Sequence, residues 1–303
     1  MKKTGLLIAM CAILFSCNTE VAETNKDSIL TTTSILGDIL RNMVPEEIEV
    51  INLMGPGTDP HLYKASPSDY KHIREAGFIV LAGLHLEGKM AEVISGLDKE
   101  KEVQEFASFL PKEQIINSDG FADGNDPHMW MDVELVRYCV LKLRTDLVQW
   151  FPEHSQKIDL KCEEYINKLG RLNREVLGIL SKVPAENRVI ITSHDALNYF
   201  ARAYNYEVRS LQGFSTAADF GLKDITVLVD YIIEREVPAI FVENIVSDQA
   251  LKAVQAACAE RGFAVKLGGS LYTDALGMES TKASTYEGMI RMNAITISRA
   301  LQN

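Results

Sequence analysis

ILTTTSILGDIL, residues 29–40, opens on a β-branched run and passes through a Thr-Ser step into a helical pattern. Ile and Thr suit an extended, pleated backbone, so residues 29–33 read as a strand; residues 34–43 read as a helix with Ser34 at or near its N-cap. VIITSHDALNYF, residues 189–200, repeats the order in the second half of the chain. Strand followed by helix, recurring along a sequence, is the pattern of a parallel sheet with helices on its faces.

Residues 48–53, 78–82 and 114–117 read as further strands of a first lobe, and 68–75 as a helix started by Pro67-Ser68-Asp69. In the second half, strands are expected at 188–192, 208–211, 240–243 and 265–268, and helices at 195–204 and 224–236. Between the halves, Ile158, Cys162, Tyr165, Leu169, Leu172, Val176 and Ile179 step by three and four, which is one apolar stripe on a helix. A helix over residues 152–181 would be roughly 40 Å long. The expected architecture is α/β: two lobes, residues 28–151 and 184–303, each with a mainly parallel sheet flanked by helices, joined by a long rigid backbone helix within residues 152–183. So stiff a connection implies a small motion between lobes rather than a wide hinge.

The first residues, MKKTGLLIAMCAILFSC, combine Lys2 and Lys3 with an apolar run too short to span a bilayer, for which about 20 residues are needed. Residues 1–16 therefore read as a lipoprotein signal peptide. Leu14-Phe15-Ser16-Cys17 resembles a bacterial lipobox, which makes Cys17 the lipidated first residue of the mature chain, and polar residues 17–27 a flexible tether. The expected location is exported, lipid-anchored on the outer face of the cytoplasmic membrane or in the periplasm. Losing Lys2 and Lys3 takes the formal charge from -11 to -13, which excludes nucleic acid as a partner. Cys139, Cys162 and Cys258 form no C-x-x-C pattern, so neither a disulfide framework nor a cysteine-rich zinc module is expected.

Asp-Pro-His occurs twice, at residues 59–61 and 126–128, in a chain of only six histidines. Proline fixes its own φ and pushes the preceding residue toward extended backbone, so each tripeptide is a stiff segment that aims an imidazole. Ligands of open α/β sheets sit beyond the carboxyl ends of the strands. His61, His128, His194 and Asp274 all fall in loops after expected strands, two in each half. Three imidazoles and a carboxylate suit zinc and are usable by manganese.

GTDPHLYKASPSD, DPHMWMD, VIITSHDALNYFARAY, AIFVENIVSDQAL and GGSLYTDALG followed by TYEGMIRMNAITI together resemble the metal-binding solute-binding proteins of bacterial ABC transporters. This is the cluster A-I group of zinc and manganese lipoproteins. The resemblance spans nearly the whole mature chain, and it implies His61, His128, His194 and Asp274 as the four ligands. It further implies an ABC permease and its ATPase as partners, a membrane reached through the N-terminal lipid, a monomer, no catalytic cofactor and one bound divalent metal ion as cargo. Val133 stands where the group commonly has proline, which bears on a helix start rather than a ligand. Histidine as third ligand is usual in zinc binders of the group, and glutamate in manganese and iron binders. His194 therefore favours Zn2+, with Mn2+ or iron as the alternative.

Asp59 and Asp126 are candidates for hydrogen bonds to the ligand imidazoles, or else only cap turns. Glu243 follows an expected strand, which would let it approach the site, whereas the resemblance implies a structural role at the lobe interface; His72, His85 and His154 are expected to be non-ligands, and Trp130 and Tyr63 to shield the metal. Two other functional classes remain, a metal-dependent hydrolase and a surface adhesin. A hydrolase wants an open coordination position, which four ligands from two lobes tend to fill, so the protein is not expected to be an enzyme. Nothing in the residues specifies a partner for an adhesin.

Overall fold

A computed structural model describes residues 25–97, 101–117 and 124–302 of the chain. The expected signal peptide and the expected lipidation site Cys17 lie outside these residues. In the first lobe, β1 (Asn25–Thr31), β2 (Glu49–Asn52), β3 (Ala76–Leu81) and β4 (Glu102–Glu105) form one parallel sheet in the order β2-β1-β3-β4. Helices α1 (Ser34–Met43), α2 (Pro67–Glu75) and α3 (Lys89–Leu97) connect these strands. β1 starts three residues inside the stretch read as a tether.

The strand expected at residues 114–117 is not one. That segment follows a 3-10 turn, Lys112–Gln114, and makes a single antiparallel bridge from Asn117 to Asn125. The backbone groups of Ile116 are satisfied elsewhere: its N–H donates to the Tyr199 hydroxyl at 3.1 Å, and its carbonyl accepts from the Asp126 N–H at 2.8 Å. The fourth strand is Glu-Val-Gln-Glu, which carries no apolar run because it is an edge strand paired only with β3.

Strand order reverses on the two sides of β1, so the crevice where ligands of such sheets bind opens between the ends of β1 and β3. Here the chain fills that crevice itself. The buried Glu87 carboxylate accepts from Thr32 Oγ1 (2.7 Å), Ala82 N (2.6 Å) and Gly83 N (3.3 Å).

The second lobe has β5 (Val189–Thr192) paired parallel with β6 (Glu207–Ser210), and β7 (Ala239–Glu243) paired parallel with β8 (Lys266–Leu271). β5 runs beside β7. In chain order α4 (Val133–Trp150) and α5 (Ser155–Leu180) lead into this lobe. Its own helices are α6 (Asn198–Tyr204), α7 (Leu222–Glu234), α8 (Gln249–Glu260) and α9 (Tyr286–Leu301). α6 begins at Asn198 rather than Asp195 because residues 194–197 turn first: the His194 carbonyl accepts from Thr192 Oγ1 at 2.8 Å and from Ala196 N at 3.2 Å.

The long helix is α5, which packs against α4, α1 and α9. It buries Ile158, Cys162, Tyr165, Leu169, Leu172 and Val176 as the periodicity requires, and ends the stripe on Leu180 instead of Ile179. These side chains belong to one core that continues from α1 through α4 and α5 to α9 and the second lobe. Cys139, Cys162 and Cys258 are buried, free members of the interior. A shared core, rather than a helix alone, stiffens the connection. Among the described residues no helix is long and apolar enough to cross a membrane.

Candidate metal centre

Each of the four residues singled out by the sequence is delivered by a loop on the carboxyl side of a strand. His61 follows β2, His128 lies beyond β4, His194 follows β5 and Asp274 follows β8. The fold brings one donor atom from each within 4.8 Å of the others. Asp274 is central: its Oδ2 lies 3.2 Å from His61 Nε2 and 3.1 Å from His194 Nε2, and its Oδ1 lies 3.3 Å from His128 Nε2. The His61 and His128 Nε2 atoms are 3.4 Å apart. His128, His194 and Asp274 are fully buried.

The outward-facing nitrogens have their own partners. His128 Nδ1 meets Asp126 Oδ1 at 2.7 Å, and His194 Nδ1 contacts the Glu243 carboxylate. Glu243 also accepts from the backbone N–H groups of Ser193 (2.7 Å) and His194 (3.0 Å). A carboxylate on the far nitrogen fixes the ring's orientation and makes the ligand nitrogen more basic. Glu243 thus meets the cluster through His194, and the one signal of this in the sequence is its place at the end of a strand. Asp59 does something different. Its Oδ1 accepts the His61 backbone N–H at 2.9 Å, and its Oδ2 accepts from Thr216 Oγ1 at 2.6 Å.

Burial alone would depress the His128 imidazole, but the charges of Asp274 and Asp126 outweigh it and hold the group up at about 9. The same balance, with Glu243 and Asp274 as the carboxylates, raises His194 well above its usual range. Burial would raise Asp274, yet the facing His194 and His128 hold its carboxyl well below the usual carboxylate range. Without a cation, these shifts make imidazolium–carboxylate pairs of His128 and His194 with the carboxylates that face them.

Trp130 packs edge-on against His128, with ring centroids 5.3 Å apart, and donates its indole N–H to the Thr273 carbonyl at 2.8 Å. It covers the cluster and ties the His128 loop to the Asp274 loop. Tyr63 is turned elsewhere: its hydroxyl donates to Asp69 at 2.9 Å and its ring packs in the first lobe's core. His72, His85 and His154 do not join the cluster. Asp132 caps α4 by accepting from Glu134 N and Leu135 N, so Val133 begins that helix without the group's usual proline.

Residues 29–300 match the family model described as zinc-uptake complex component A, periplasmic. The manganese-binding lipoprotein MntA of Bacillus subtilis is 37% identical over 306 residues, covering 99% of this chain and all of that one. The zinc-binding protein TroA of Treponema pallidum is 36% identical over 282 residues, 93% of this chain and 91% of the relative. The solved TroA structure superposes with a TM-score of 0.88, covering 91% of this chain and 99% of that one. A manganese-bound periplasmic metal-binding protein from Candidatus Liberibacter asiaticus superposes with a TM-score of 0.80 at 25% identity, covering 90% and 99%. Fold and near full-length similarity agree: the chain belongs to the periplasmic zinc-uptake component A family, the substrate-binding proteins of metal ABC transporters.

Proposed function

We propose that this chain captures one divalent cation, zinc in preference to manganese, with His61, His128, His194 and Asp274 as ligands, and delivers it to an ABC permease and its ATPase. The donor separations carry the reading. A tetrahedron with bonds of ~2.0–2.1 Å has six edges of ~3.3 Å; with Asp274 Oδ2 as its oxygen, three of them are matched here at 3.1–3.4 Å, and all four donors lie within 4.8 Å of one another. Three imidazoles make the donor set softer than a carboxylate-rich one. The residue ranges 28–151 and 184–303 act as the two halves of the clasp, with residues 152–183 as the strut, and the protein works as a monomer.

One observation favours manganese as a second reading. Both oxygens of Asp274 face the cluster, so the carboxylate offers a fifth donor position to a cation that prefers more than four. Competitive titration of the metal-stripped protein separates the two. One-to-one zinc binding that displaces manganese supports the first reading, and comparable affinities support the second. A chain that binds neither ends both. Mature protein held at the outer face of the cytoplasmic membrane by a lipid on Cys17 completes the proposal. Cys17→Ser should move the protein from the membrane fraction to the soluble fraction of expressing cells, and an unchanged distribution would remove the anchor from the account.

A further inference from the structure

The three imidazoles are not held alike. The His128 and His194 rings are each fixed by a carboxylate outside the cluster, Asp126 or Glu243, while the one carboxylate paired with the His61 ring, among the described residues, is Asp274 within the cluster itself. What holds His61 is its loop. Asp59 bridges the His61 backbone N–H and Thr216, a residue 157 positions away in the second lobe. At 2.6 Å, Thr216 Oγ1 to Asp59 Oδ2 has the length of a charge-assisted O–H···O bond.

From Thr216 the connection runs on to the other side of the centre. Gln212 Nε2 donates to the carbonyls of Thr216 (3.3 Å) and Ala218 (2.7 Å), and Gln212 N donates to the carbonyl of Ser193, next to His194, at 2.8 Å. A second strap, Gly57 N to the Leu276 carbonyl at 3.2 Å, joins the same loop to the Asp274 loop. The hydrogen-bonded path from the His61 loop to the His194 loop passes through no ligand atom.

We propose that Asp59 and Thr216 form a latch between the lobes that sets how fast the bound cation leaves, by holding the His61 loop closed against the second lobe. They are positioning residues and act through His61. The shared core around α5 opposes wide opening of the lobes, so departure of one loop is the less costly route out. His61 is the ligand whose ring no outside carboxylate restrains, and it leaves first. The proposal rests on the capture reading above.

The test is the dissociation rate of zinc from the full-length mature protein, read by transfer to an excess of a chromophoric chelator. Thr216→Val keeps the side chain's shape and removes the donor, and should speed release about tenfold, as expected for losing one hydrogen bond to a charged group. Thr216→Ser restores the donor and should release within about twofold of wild type. Should Thr216→Val also lower the melting temperature of the metal-free protein, Asp59→Asn reads the same rate: it keeps an acceptor for the His61 N–H and removes the charge facing Thr216. It too should release several-fold faster. A Thr216→Val rate equal to wild type, or a Thr216→Ser rate equal to that of Thr216→Val, overturns the latch. A wild type that shows no one-to-one binding overturns the capture reading, and the latch with it.

Discussion

His194→Ala should weaken zinc binding on the order of a hundredfold and destabilise the metal-free protein, whereas His61→Ala should do the first without much of the second. Four protein ligands share a binding free energy of ~10–16 kcal/mol in structural zinc sites, so one ligand accounts for roughly 3 kcal/mol. That part of the loss is common to both variants. The metal-free state distinguishes them. His194 is fully buried between Glu243 and Asp274, and removing one partner of a buried ion pair costs about 3–5 kcal/mol because the other charge stays behind. Removing His61 leaves Asp274 still facing His128 and His194. The expected melting temperatures of metal-free protein therefore fall by roughly 5–10 °C for His194→Ala and by about 1–2 °C for His61→Ala. Chelator competition and thermal unfolding check the two halves separately. Equal drops in melting temperature would contradict the unequal support of the two rings, and unchanged zinc affinity in either variant would remove that residue from the ligand set.

The second large effect is a pair of opposite pH trends. In the metal-free fold His128 is held up at about 9 and His194 well above its usual value. An imidazole whose folded value exceeds its unfolded ~6.5 stabilises the fold fully below pH 6.5, and that contribution is lost as pH rises through the folded value. Asp274 is shifted the other way, so its contribution is present above ~3.9 and is lost only as pH falls through its low folded value. Metal-free protein should thus melt higher at pH 6 than at pH 9.5. Cation binding has the reverse sign, because ligand imidazoles must be neutral and each bound cation displaces their protons. Two displaced protons make affinity rise about a hundredfold per pH unit, or on the order of ten-thousandfold between pH 5.5 and 7.5. The neighbouring carboxylates also move the window: affinity keeps climbing toward pH 9 instead of levelling off near the usual imidazole range of ~6.5. Zinc titrations giving the same affinity at pH 5.5 and 7.5 would refute this linkage.

Much of the fold was legible because it is written in local periodicity. The strand segments at residues 29–31 and 189–192, the stripe on α5 and the start of α2, where Pro67 follows the capping residue Ser66, are all decided by side chains within a few residues of one another. β4 was not legible. Its Glu-Val-Gln-Glu sequence has no apolar signal, since an edge strand is held chiefly by its ladder to β3. Residues 114–117 failed in the opposite sense: Ile115 and Ile116 are apolar enough for a strand, but Tyr199 and Asp126 take up the backbone groups of Ile116.

The two Asp-Pro-His tripeptides mark the boundary between what each level decides. Their sequence determined the backbone, because a carboxylate two residues ahead of an N–H closes a local turn: Asp59 and Asp126 each accept from their own histidine's N–H at 2.9 Å. The sequence likewise determined that four potential ligands stand after strands. Tertiary structure alone decided what each aspartate does with its remaining capacity. Asp126 is buried beside the His128 ring, with Asn198 holding its other oxygen at 3.1 Å, so it also accepts from the imidazole. Asp59 faces Thr216 across the cleft, so it ties the lobes together instead. A hydrogen bond depends on ångström distances between groups far apart in the chain, and no local pattern encodes those distances.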